Sequence, residues 1–198
     1  MPTIVIHEEI AIHLAKLDKS LDTKEFYLGI LAPDAPNING FAEKSKRWDA
    51  HLRSKDLREW RGNLKRFYHQ EKEHYPKNFL IGYIIHILTD IIFDEYFYLP
   101  IKNNMLQDKI SKEEYHEKMR EDMDHYGSKS PWLTKRNILK EPINYYDIRN
   151  INKELLKSWT QKKLTEEFEP IQSKYITSSV IEKLTMKVGQ EYKELIKE

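Results

Sequence analysis

Apolar positions recur along this chain at intervals of three and four, and strict alternation is nearly absent. That spacing predicts helices rather than strands. Ile6, Ile10, Leu14 and Leu17 share one face of a helix over residues 4–17. Asp22, with Glu25 three residues on, forms a capping box that opens DTKEFYLGIL. That helix stops at Ala32-Pro33-Asp34, because proline cannot join the helical ladder and restricts the residue before it. Residues 33–54 read as a long loop with at most a short helical turn, broken by Pro33, Pro36 and Gly40. Loops of that length in a compact domain are commonly functional, and Phe41 and Trp48 argue that this one is ordered. A helix over 56–70 follows, with Asp56 and Glu59 as its box. Pro76 then suits the first turn of a long apolar helix that ends near Tyr98, before Pro100. Ser111 and Glu114 open SKEEYHEKMREDMDHY, which closes at Gly127. Residues 127–150 are irregular, and amphipathic helices over 152–168 and 179–197 complete the chain, the last with Ser179 and Glu182 as a fourth box. The pattern predicts one all-α domain, residues 1–198, of about seven helices.

Composition narrows the chemistry. The 198 residues suffice for a proper core. There is no cysteine, so disulfides and thiolate metal sites are excluded and any metal must be held by His, Asp and Glu. The net charge of +1 gives no case for nucleic-acid or membrane binding. MPTIVIHEEI lacks the basic start, apolar run and cleavage site of a signal peptide, which predicts a cytoplasmic protein. The apolar run over 79–93 is too short to span a membrane.

That run, FLIGYIIHILTDIIF, carries His86 and Asp90 four residues apart on one helical face, with Asp94 one turn further along the same stripe. An ionised carboxylate is costly to bury unless it is paired or metal-bound. A hydrogen-bonded His86–Asp90 pair in the core is the plain explanation. A metal needs more ligands, and three other segments offer them. His7 lies about 40° from the centre of the first helix's apolar face, His13 about twice as far. Asp34 is set by Pro33 at a helix end. His51 closes the long loop after Trp48-Asp49-Ala50. Each alone has a bland reading as a core histidine, a turn residue or a solvated loop histidine.

Together, MPTIVIHEEIA, YLGILAPD, WDAHLR and FLIGYIIHILTDIIF fall in an order that resembles the zinc-dependent phospholipase C family, which is related to single-strand nucleases. The resemblance covers roughly the first half of the chain. It implies a mostly helical fold holding two or three zinc ions. Carried over, one ion takes His51, His86, Asp90 and Asp34; a second shares Asp34 as a bridge; a third takes His7 and Asp90 with the N-terminal residue. The family's further ligands for the second ion lie downstream of the helix pair. Here Asp94 stands where many relatives have histidine, and the remaining candidates are His116, Glu117, Glu121 and His125. Of these, Glu121 and His125 have i, i+4 spacing, although a solvated charged face explains that helix equally.

The resemblance implies a metal-dependent, zinc-type phosphoester hydrolase in which water activated at the ions attacks phosphorus. Asp34 is the expected catalytic residue, positioning that water or taking its proton. Trp48, Phe41, Tyr83 and Phe93 are candidates to wall the cleft. The expected substrate is a small-molecule or lipid phosphoester. The alternative is a non-enzymatic helical binding protein that retains one structural metal or a buried His–Asp pair. A histidine-aspartate phosphohydrolase is disfavoured, since no His-Asp dipeptide occurs in the chain.

Overall fold

A computed structural model of the chain describes residues 2–169 and 171–197. Its α-helices are α1 (Ile4–Leu17), α2 (Lys24–Leu31), α3 (Lys44–Ala50), α4 (Leu57–Glu71), α5 (Lys77–Ile92), α6 (Tyr98–Gln107), α7 (Tyr115–Gly127), α8 (Trp132–Lys135), α9 (Lys153–Leu164) and α10 (Ser178–Leu195). Short 3-10 segments run over Lys19–Leu21, Ala32–Asn37 and Arg136–Lys140. Among the described residues there is no β-strand, only an isolated bridge between Ile148 and Ile151. No helix among them is long and apolar enough to cross a membrane.

Helix α5 is the axis of the fold. Every residue from Phe79 to Ile92 is buried, as expected of a helix that is apolar on all sides. It packs on α2, α4, α10 and α1. The α2–α5 crossing is the closest, and two glycines make it possible. A Cβ on Gly29 would overlap the Phe79 carbonyl oxygen, and one on Gly82 would overlap that of Phe26. Backbone therefore lies directly against backbone where the two helices cross.

Several boundaries depart from the sequence pattern. The apolar helix does not stop near Tyr98. It widens into a π-helical turn over Phe93–Phe97 and continues as α6. Pro100 falls in the first turn of α6, directly after the π turn, so it sits at the junction of the two helical segments. The stretch 33–54 is more helical than expected, holding the 3-10 turn Ala32–Asn37 and α3. Residues 127–150 likewise carry α8 and a 3-10 turn. Thr23, not Asp22, caps α2 by accepting from the Phe26 N–H; Asp22 instead binds the Tyr27 hydroxyl and Lys135. Thr177, not Ser179, caps α10. Helix α7 begins at Tyr115, four residues beyond Ser111. Helix α9 ends at Leu164, short of 168, and the non-helical residues Glu166, Glu167, Phe168 and Glu169 line a cleft.

Candidate metal centre

Four segments deliver five side chains to one point. His7 comes from α1, Asp34 from the 3-10 turn after α2, His51 from the end of α3, and His86 and Asp90 from α5. His7, His51, His86 and Asp90 are at most 1% exposed, whereas the Asp34 side chain is 14% exposed. Asp34 is therefore the member that reaches solvent. Two groups of three donors, His7/His86/Asp90 and Asp34/His51/His86, lie close enough to hold a metal ion.

The local structure shows how each donor is aimed. Helix α3 ends in a Schellman motif, with Arg53 N–H bonded to the Trp48 carbonyl at 2.8 Å and Leu52 N–H to that of Asp49 at 3.0 Å. Leu52 takes the left-handed conformation, φ +52°, that glycine usually fills. This turn presents His51. The Trp60 indole N–H holds the His51 carbonyl at 2.8 Å, and the Tyr83 hydroxyl holds that of Ala50. The His51 Nδ1 contacts the Arg47 carbonyl at 2.8 Å, and the His86 Nδ1 contacts that of Ile30 at 2.7 Å. A carbonyl only accepts, so both Nδ1 atoms carry hydrogen. In neutral rings both Nε2 atoms are then bare lone pairs, the arrangement that prepares histidines as metal ligands.

Those two Nε2 atoms face each other at 3.2 Å. Two lone pairs at that distance repel unless a proton or a cation lies between them. His51 Nε2 is also 3.5 Å from Asp34 Oδ1 and 3.6 Å from Asp90 Oδ2. His7 Nε2 lies 3.4 Å from Asp90 Oδ1, and its ring stacks on His86 with centroids 3.6 Å apart. Tetrahedral bonds of about 2.0–2.1 Å to N and O require donor–donor edges of about 3.3–3.4 Å. The measured separations are those of a coordination shell and are long for hydrogen bonds. Both ring nitrogens of His7 and both carboxylate oxygens of Asp90 are buried without a hydrogen-bond partner, a costly state in an apolar interior. The donor set fits a divalent cation on both counts.

The electrostatics have the same cause. Burial alone would raise the Asp34 and Asp90 carboxyls, yet the neighbouring histidines hold both below the usual carboxylate range. Burial depresses His86 to about 3, with repulsion from His7 adding to it. For His51, burial is outweighed by the neighbouring Asp34 and Asp90 carboxylates, so its pKa is raised. One ring is kept neutral by burial, and the other is drawn toward charge by the two carboxylates beside it.

The remaining sequence candidates lie elsewhere. Asp94 does not join the donors; inside the π turn it pairs with Arg53 at 2.7 Å. Glu121 is exposed and pairs with Lys118 at 2.8 Å. His125 is half-buried and, like Glu121, lines a cleft of about 870 Å³ that also reaches Asp34 and His51. Neither joins the five converging donors. His116 bonds the Tyr115 hydroxyl at 2.7 Å on the same cleft wall. Phe41 and Trp48 line the cleft, whereas Tyr83 and Phe93 are core residues. The sequence pattern did not single out Arg53, although it stands two residues after His51 in WDAHLR. Nor did it single out Glu8, fully buried beside His7 with one oxygen unpartnered. Burial pushes the Glu8 carboxyl well above its usual range, against the lowering charge of Lys163.

No protein-family model matches this chain, and no curated protein or solved structure matches it.

Proposed function

We propose that this protein is a metal-dependent phosphoester hydrolase, zinc being the ion best suited to its all-nitrogen-and-oxygen donor set. The observation that carries the reading is the pair of facing Nε2 atoms of His51 and His86, with two carboxylates at coordination-edge distances and a large cleft opening beside them. His51, His86, Asp90 and Asp34 would hold one ion, and His7 with the other Asp90 oxygen would hold part of a second. A divalent ion bound there acidifies water and draws charge from phosphoryl oxygens. The phospholipase C-like order of the four sequence segments supports the same reaction class.

The residues divide the work by exposure. Asp34 faces the cleft, and the Asn37 side-chain amide donates to it at 3.1 Å. A carboxylate held so far below its usual range orients an attacking water better than it stores that water's proton. The carbonyls of Arg47 and Ile30 keep the two imidazoles in one tautomer. The apolar flanks of α5 exclude water from the far side of the site.

A second reading, a helical protein stabilised by one structural ion, is favoured by the number of donors, because four protein ligands close a tetrahedral shell. The deciding experiment measures metal per chain in protein purified without added metal, beside His86→Ala and Asp90→Ala variants. The hydrolase reading expects bound divalent metal that is lost in both variants, with turnover of a chromogenic phosphomonoester or phosphodiester by the parent alone. Metal without turnover leaves the structural reading. A parent that stays metal-free under replete conditions overturns both.

A further inference from the structure

We propose that Arg53 is a built-in anion clamp that receives the phosphoryl oxygens of the substrate beside the metal donors. The inference rests on the hydrolase reading and adds a residue to it.

The Arg53–Asp94 ion pair repeats the His51–Asp90 contact along the same two elements. Arg53 follows His51 by two residues, and Asp94 follows Asp90 by four. The first pair closes at 2.7 Å and the second at 3.6 Å. One helical turn advances about 5.4 Å, so the guanidinium sits about one turn from the coordinating groups. It lines the same cleft as Asp34 and His51. The position where the sequence stripe suggested a further metal-ligating carboxylate thus carries a fixed positive charge, and Asp94 serves to hold it.

The guanidinium is pinned on two sides and open on a third. Asp94 binds one nitrogen and is its sole side-chain acceptor among the described residues. The face lies 4.6 Å from the Trp60 ring and 5.9 Å from that of Trp48. Trp60 is fully buried and also binds the His51 carbonyl. One indole therefore sets both a metal donor and the guanidinium, so their relative position is rigid. The Arg53 side chain is 22% exposed. Its remaining N–H groups form a planar fork of the kind that binds two oxygens of a phosphate.

The other basic residues of the cleft are engaged differently. Arg47 and Arg120 stack on Phe41, at 5.0 and 4.1 Å. Lys162 donates to the Ile38 carbonyl, and Lys163 pairs with Glu166. Arg47 is tied to His51 by its backbone carbonyl alone, and none of these charged groups packs, as the Arg53 guanidinium does, on the Trp60 ring that holds the His51 carbonyl. A cation fixed where negative charge develops lowers a phosphoryl-transfer barrier without reorganisation.

The test is titration of the metal-loaded protein with inorganic phosphate by calorimetry, for the parent, Arg53→Lys, Arg53→Met and Asp94→Asn, with metal content and thermal midpoint recorded for each. The expected result is unchanged metal content, phosphate affinity reduced about tenfold or more in Arg53→Met, an intermediate loss in Arg53→Lys, and about threefold in Asp94→Asn, where the fork is charged but less well aimed. Phosphate binding within twofold of the parent in a metal-retaining Arg53→Met overturns the proposal. Metal loss or a collapsed midpoint in Arg53→Lys, which keeps the charge, also overturns it and makes Arg53 a scaffold residue. A metal-loaded parent that binds no phosphate overturns it too, whereas a parent without metal removes the hydrolase reading beneath it.

Discussion

Helices α5 and α7 each carry a histidine and a carboxylate four residues apart, and the two pairs have opposite fates. On α5, His86 and Asp90 are fully buried, and His86 Nε2 faces that of His51. On α7, Glu121 leans outward to Lys118 and His125 stays at the cleft wall. The spacing is the same, and the flanking residues differ. Ile84, Ile85, Ile87, Leu88 and Ile91 surround the first pair, whereas Lys118, Arg120 and Asp124 accompany the second. A polar pair inside an apolar helix has no solvent to turn to, so it must find donors, acceptors or an ion from other elements. A pair on a charged face is satisfied by water and its own neighbours, and i, i+4 spacing there implies no site.

The contrast depends on how tightly α5 is held, and the largest test removes that hold. Gly29→Ala forces a methyl group into the Phe79 carbonyl oxygen, so α2 and α5 must separate. The expected cost exceeds about 3 kcal/mol in urea unfolding. A loss below about 1 kcal/mol would show that the α5 site tolerates a shifted helix.

Acid titration of chelator-treated protein separates the pairs next. Folded His86 refuses a proton until about pH 3 because burial opposes its charge, while in the unfolded chain it protonates near pH 6.5. The unfolded state therefore binds more protons between those values, and stability falls as pH drops through the window. The loss accrues at up to about 1.4 kcal/mol per pH unit within that window, and His86→Gln should flatten that segment of the curve. His51, whose folded pKa is raised, acts oppositely: its contribution is present below about pH 6.5 and fades as pH rises through its folded value. Asp34 and Asp90, held low, lose theirs only below about pH 4. An unchanged slope in His86→Gln would remove His86 as the source.

Chelation gives the smallest contrast and the simplest readout. An ion present at a hundredfold over its dissociation constant stabilises by about 2.7 kcal/mol, or about 5–10 °C in midpoint for a chain of 198 residues. The parent should lose that on addition of chelator. Glu121→Ala and His125→Ala should lose the same amount, each differing from the parent by about 0.5 kcal/mol or less without metal. If either variant abolishes the chelator effect, the α7 pair belongs to the metal site and the comparison fails.

Much of the centre was legible in local chemistry. His86 and Asp90 stood out because ionisable groups in a fifteen-residue apolar run need a reason. Asp34 and His51 stood out as residues at the ends of a proline-marked segment. Asp94 misled because the stripe argument sees only one helix, whereas its partner Arg53 comes from the segment after α3; the π turn over Phe93–Phe97, which carries the chain on past it, leaves no composition signal. Pro100 misled for a related reason: it marks a helix end only if a new first turn does not begin beside it.

The sequence by itself determined the all-helical architecture, the inward histidine of α1 and the polar stripe of α5, because apolar periodicity and the cost of burying charge act within a single element. Only the tertiary structure decided which donors meet, that Asp34 and His51 are the ones on the cleft, and that Arg53 and Asp94 pair with each other. Those outcomes depend on backbone passing backbone at Gly29 and Gly82, and on Trp60 binding two elements at once. These are contacts between residues far apart in the chain, set by how helices cross rather than by any residue's own preference.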